Sequence, residues 1–255
     1  MLRRVERNRL GIEQFILAVV LPGIAGNINA SGFIALGVYT SHVTGSAARL
    51  GDELAAHQFD KAGEALTLIA LFLVGAMTAT ALVEIATRHK RPRFMMALLI
   101  EALLIALFAI LSIHSERHWR FQRSELLGLL CFSMGLQNAL VSRVSGAVVR
   151  NTHLTGIVTD LGIETVRYLS WRFDPLRGNA PPPSLDLRRA KLHFTILASF
   201  VSGATVGPAL YLAIGSISML LPVAMLVLLA AFDGWAGLTG RLEIPPASAP
   251  PPSAS

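Results

Sequence analysis

Apolar residues run through this chain in long uncharged blocks, and the charge collects in the short stretches between them. Gln14 to Ser41 carries no charged residue, and neither does Ala65 to Val83. Phe94 to Ile113 is interrupted only by Glu101. Leu126 to Ser142 is uncharged, as is the long stretch Phe194 to Phe232. A hydrocarbon core of roughly 30 Å is crossed by about 20 helical residues. The last block is long enough for two crossings, with a tight turn expected near Gly215 and Ser216. The pattern therefore predicts an all-α, polytopic membrane bundle of about six transmembrane helices.

Composition agrees with the pattern. Only 15% of the residues are charged, against roughly 25% in soluble domains. The net charge of +6 would suggest nucleic acid in a soluble chain. Here the basic residues flank apolar blocks, so the expected partner is the lipid bilayer and not nucleic acid. With the N-terminus inside, 17 of the 22 Lys and Arg residues fall in cytoplasmic segments and 5 outside. Both termini are thus expected in the cytoplasm, with Arg117, Arg120 and Arg123 as a mild contradiction. The first block continues past any small-residue cleavage site and is expected to stay as a helix. The lone Cys131 excludes an internal disulfide and a cysteine metal cage. No cofactor or metal is implied, and a homo-oligomer is compatible with the small-residue faces.

The chain repeats itself. HVTGSAARLG begins at His42 and HLTGIVTDLG at His153, both reading H-x-T-G-x-x-x-x-L-G at an offset of 111 residues. At that offset Asn27 falls on Asn138. Each half then holds three crossings, an odd number, so the second half must be inverted relative to the first. The expected plan is two inverted three-helix repeats with broken or re-entrant polar segments, a recurring transporter architecture. The expected organisation is a basic cytoplasmic arm (1–13), a first membrane repeat (14–113), an outside loop (114–123) and a second repeat (124–235) with a cytoplasmic loop (167–191). A Pro/Ala/Ser-rich tail (236–255) follows, expected to be disordered.

Polar groups at membrane depth are costly unless paired or wetted, which makes them candidates for function. GIAGNINASG (23–32) combines Pro22 upstream, three glycines, Asn27 and Asn29. Two readings are open: a broken helix with backbone free for a solute, or close helix packing through small residues. In the second half the candidates are Gln137 and Asn138, of which Asn138 is preferred as the repeat partner of Asn27. The H-x-T-G segments add His42, Thr44 and Gly45, and His153, Thr155 and Gly156, where a helix start would present free amides to an anionic group. Glu101 stands alone in a crossing and must be neutral or paired there, so it is a proton-coupling candidate. Asp160 is the second such candidate. With Glu164 it is expected on the polar face of an amphipathic segment opposite Leu154, Ile157, Val158 and Leu161. Glu84, four residues before Arg88, is expected to form a helix-end ion pair. Gly203 and Gly207, followed by Pro208, suggest tight packing or a kink. No nucleotide-binding, zinc-protease or nucleophile-elbow motif is present.

The stretch GLQNALVSRVSGAVVRNTHLTGIVTDLG (135–162) resembles the signature of the YoaK family of bacterial membrane proteins, a family without an assigned function. GNINASGFIALGVYTSHVTGS (26–46) is similar to its N-terminal signature, and the resemblance covers roughly residues 14 to 235. It implies a multi-pass bacterial inner-membrane protein. Two departures are Asn29, where family members carry aspartate, and Ser46, where they carry asparagine after Thr-Gly. The first removes the carboxylate that a proton or cation role at that position would need. The functional expectation is a secondary transporter or permease for a small polar or anionic solute. A membrane enzyme, with His153 as base and Asp160 as its orienter, and a non-catalytic scaffold or sensor are the alternatives.

Overall fold

The computed structural model describes residues 12–118, 123–144, 154–173 and 187–238. Its elements are α1 (Ile12–Leu36), α2 (Val43–Ala55), α3 (Phe59–Arg88), α4 (Met95–His118), α5 (Arg123–Val144), α6 (Leu154–Phe173), α7 (Leu187–Ile214), a 3-10 turn (Gly215–Met219) and α8 (Leu220–Leu238). No strand occurs among the described residues. Five apolar stretches are long enough to cross a bilayer, and the last, Ala190–Gly237, holds 48 residues. At 1.5 Å per residue that is about 72 Å, twice what a bilayer core needs. The stretch is divided by the 3-10 turn at Gly215, whose φ of +65° suits a glycine. The crossings are therefore α1, α3, α4, α5, α7 and α8, and the protein is a polytopic helical bundle.

The ends of α1 show how the sequence sets element limits. The uncharged block runs on to Ser41, but the helix stops at Leu36 because Gly37 takes a φ of +69° and its N–H bonds back to the Phe33 carbonyl at 2.7 Å. The Arg123 Nε–H donates to the Leu36 carbonyl at 2.6 Å. A cation at a helix C-terminus is favoured by the helix dipole. The contact also ties the end of α1 to the start of α5, so these two helices run in opposite directions. Within α1 the helix is continuous through Pro22, Gly23, Gly26 and Gly32. The expected break is absent, and the glycines have another use.

That use is crossed packing between the halves. α1 lies along α7, α5 lies along α3, and α4 packs against α8. Both long pairings depend on missing side chains. A Cβ on Gly26 would overlap the Phe200 carbonyl, and one on Gly203 would overlap the Gly23 carbonyl. The second pair repeats this: Gly135 meets the Phe72 carbonyl and Gly75 the Phe132 carbonyl. Small residues let helix backbones approach where lipid offers no hydrophobic drive for association. The matching contacts define the repeat register. Gly26 corresponds to Gly135, an offset of 109, while Phe72 and Gly75 correspond to Phe200 and Gly203, an offset of 128. This corrects the sequence alignment in the first helix. The counterpart of Asn138 is Asn29, within a shared G-x-x-N-A, and Asn27 corresponds to Leu136. Two residues separate this register from that of the H-x-T-G segments, and the segment joining them absorbs the difference.

Much of the outer surface is apolar. Leu66, Leu73, Met77, Leu103, Leu212 and Leu228 are all exposed, as lipid-facing side chains would be. The expected Glu84–Arg88 pair gives way to a longer-range one: Glu84 meets Arg143 of α5 at 2.9 Å, because α3 and α5 run parallel and their charged ends coincide. The short helices α2 and α6 pack on α3 and α7 respectively. The face expected to be polar on α6 is placed differently. Asp160 and Glu164 are half-buried on the same side as the buried Ile157, while Val158, Ile163, Val166 and Leu169 are exposed. An outward apolar face is the physical rule at a lipid boundary, the reverse of the soluble case.

Candidate functional site

The α1–α5 contact lies between the two halves, and each of the two helices carries one of the polar stretches. Asn29 is buried, and its Oδ1 accepts the N–H of Ser41 at 3.0 Å, folding the segment after Gly37 back onto α1. Asn27 is buried against α7, with its side-chain amide and the Ser31 hydroxyl lying where a Cβ on Gly207 would stand. On α5, adjacent Gln137 and Asn138 point in different directions. Gln137 is fully buried and its Nε2 donates to the Leu21 carbonyl of α1 at 3.2 Å. Asn138, preferred on sequence grounds, is only half-buried. Gln137 is therefore one of the side chains that bridge the halves.

Several buried polar atoms find no hydrogen-bond partner among the described residues. They are Ser31 Oγ, Thr40 Oγ1, Ser133 Oγ, Gln137 Oε1, Glu164 Oε2, His193 Nδ1 and both carboxyl oxygens of Glu101. Glu101 is 0% exposed. Orphaned buried polar groups are rare in folded proteins, because each costs roughly 1–3 kcal/mol. Those on α1, α4, α5 and α7 belong to helices that pack across the boundary between the halves, whereas Thr40 follows α1 and Glu164 lies on α6. A solute or a chain of water between the halves would supply the missing partners.

The H-x-T-G segments occupy the helix starts expected of them. α2 begins at Val43 and α6 at Leu154, each one residue past its histidine. The His42 ring folds over Gly45, whose absent Cβ would lie 2.5 Å from Nδ1. This explains the glycine three residues after the histidine. His42 and Gly45 line a half-open hollow of about 200 Å³ with Tyr39, Ser46 and Arg49. Arg49 is engaged by Glu53 at 3.6 Å and Glu64 at 3.4 Å, which reduces its pull on an external anion. Thr44 and Thr155 are exposed and Gly156 is half-buried, while His153 lies outside the described residues. Since α2 packs on α3 and α6 on α7, the two segments do not pack against one another.

The structure also identifies polar residues that sequence reading passed over. Asp233 stands immediately after the long uncharged block and is buried. Its carboxylate accepts the N–H groups of Met95, the first residue of α4, and of Phe94 just before it. Ser112, Ser133 and His193 are buried as well. An acid abutting a span was a legible signal, whereas isolated serines in apolar runs resemble ordinary packing residues. Among the described residues no three His, Cys, Asp or Glu side chains gather at one point. The family model described as a protein of unknown function (DUF1275) matches residues 17–232. No curated protein and no solved structure matches the chain.

Proposed function

The chain belongs to the DUF1275 family, and from that premise we propose that it is a secondary transporter or permease for a small polar or anionic solute. The YoaK name rests on the motif resemblance alone. The observation that carries the reading is the set of unpartnered polar atoms on helices that pack across the boundary between the halves, Glu101 foremost. A bundle that served only as a scaffold would be more stable with apolar residues at these positions. Asn27, Gln137 and Ser31 form the central binding region, with Glu101 as the proton-coupling group. Asn29 holds the end of α1 in place, and Asn138 and Asp160 stand beside the path. His42, Thr44 and Gly45, with their counterparts His153, Thr155 and Gly156, form its two entrances. The charge bias supports both termini in the cytoplasm, and the motif resemblance supports a location in the bacterial inner membrane.

Reconstitution into liposomes tests the proposal. Proton flux is read with an entrapped pH-sensitive dye while extracts of small metabolites are supplied outside. Glu101→Gln keeps the volume and removes the ionisable proton, and Gln137→Leu removes the bridging amide. Each is expected to lower substrate-dependent flux at least about tenfold, the scale of one lost buried polar interaction. Wild-type vesicles no leakier than empty ones, or variants that transport normally while correctly folded, would sink the reading.

A further inference from the structure

The α4–α8 pair is clasped at both ends by polar contacts. At one end the Asp233 carboxylate of α8 accepts the Phe94 N–H at 3.0 Å and the Met95 N–H at 2.9 Å. At the other end the Ser216 hydroxyl, in the turn that opens α8, donates to Ser112 Oγ of α4 at 2.9 Å. Ser216 also lies 3.1 Å from the Tyr211 hydroxyl. The two clasps share the register of one antiparallel helix pair. Asp233 follows Ser112 by 121 residues, and Ser216 follows Met95 by the same 121. In each half, a late turn of the last helix holds the start of the other half's last helix.

The clasps are unequal. A carboxylate receiving two amides at a helix N-terminus is charge-assisted and favoured by the helix dipole, whereas a hydroxyl pair is neutral and weaker. Both ends are closely packed, so the difference lies in the polar contacts. Gly234 brings α8 against Met95 and Gly237 brings it against Pro92, each contact 2.9 Å from where a Cβ would stand. At the serine end Phe108, Ala109, Ser112, Ser216 and Met219 are all buried. Glu101 sits on α4 between the two ends, about 9 Å along the helix from Met95.

We propose that the two clasps are the gates of the path, and that the Asp233 clasp keeps its end closed in the resting protein while the Ser112–Ser216 end opens first. The inference rests on the transport reading and adds its regulation. Releasing one clasp lets α4 and α8 splay at that end and hinge at the other, with no break in either helix. Polar contacts of different chemistry at the two ends of one helix pair supply two closed ends of different strength, which sets the resting direction.

Thiol accessibility tests this in the full-length chain with Cys131→Ser as background. Ala97→Cys and Ala109→Cys each place a thiol about one turn inside a clasp, at positions 0% and 3% exposed. Alkylation by a small water-soluble maleimide is followed in detergent. Asp233→Ala is expected to speed labelling of Ala97→Cys about tenfold and leave Ala109→Cys unchanged. Ser112→Ala is expected to speed labelling at Ala109→Cys alone. Equal acceleration at both positions, or none at either, would overturn the proposal. Should Asp233→Ala fail to fold, Asp233→Asn retains one acceptor oxygen and is expected to give a smaller increase at Ala97→Cys only. Labelling reads the clasps and flux reads transport, so the two proposals can fail separately.

Discussion

Individual glycines carry much of the architecture here, and they divide into two kinds. Gly23, Gly26, Gly75, Gly135 and Gly203 stand where a neighbouring helix comes too near for a side chain. Gly63 lies inside α3 with nothing within 4 Å. Gly203→Val should therefore cost about 1–3 kcal/mol by overpacking. Gly63→Ala should be neutral or gain up to about 1 kcal/mol, because alanine favours a helix more than glycine does. Thermal unfolding in detergent separates the two, and equal effects would contradict the assigned contacts. Asn29→Ala should cost about 1–3 kcal/mol in the same assay, since it leaves the buried Ser41 N–H without its acceptor.

Helix ends and short helices obey rules set by their surroundings. Arg123 both begins α5 and neutralises the carbonyl end of α1, so Arg123→Ala should destabilise by about 1–2 kcal/mol. Arg143→Ala should cost under about 1 kcal/mol, because its pair with Glu84 is about half-exposed on both sides and solvent weakens such pairs. Chemical or thermal unfolding of the two variants side by side checks the ranking. The placement of Asp160 and Glu164 on the inward side of α6, beside Ile157 and Leu161, belongs to this scale too. Hydrophobic spacing located an amphipathic helix correctly but could not say which medium its apolar face met.

The whole molecule is a pair of inverted halves that exchange partners: α1 with α7, and α5 with α3. Parallel pairing inside each exchange, and antiparallel α1 and α5, follow from six crossings. Single thiols replacing Gly63 and Lys90, at opposite ends of α3, should then react with an impermeant reagent from opposite sides of the membrane. Lys90→Cys is expected to react from the cytoplasmic side, as the charge bias requires. Reaction of both from one side would refute the topology. The clasps and the unpartnered polar atoms also belong to this scale, because both arise only where the halves meet.

Length and apolarity were enough to place the spans, since crossing lipid demands about 20 residues without charge wherever they fall in the fold. Duplication and inversion were equally legible, because the H-x-T-G segments survive as strings and an odd number of crossings dictates the hand. Partner choice was not. Whether Asn27 or Asn29 matches Asn138, whether Gln137 or Asn138 turns inward, and what Asp233 caps all depend on which helices touch and in what register. Those contacts join residues 57 to 180 positions apart through backbone carbonyls and missing side chains, and neither leaves a pattern in local sequence. Local chemistry thus determined the elements and their medium, while the close approach of distant backbones decided the site.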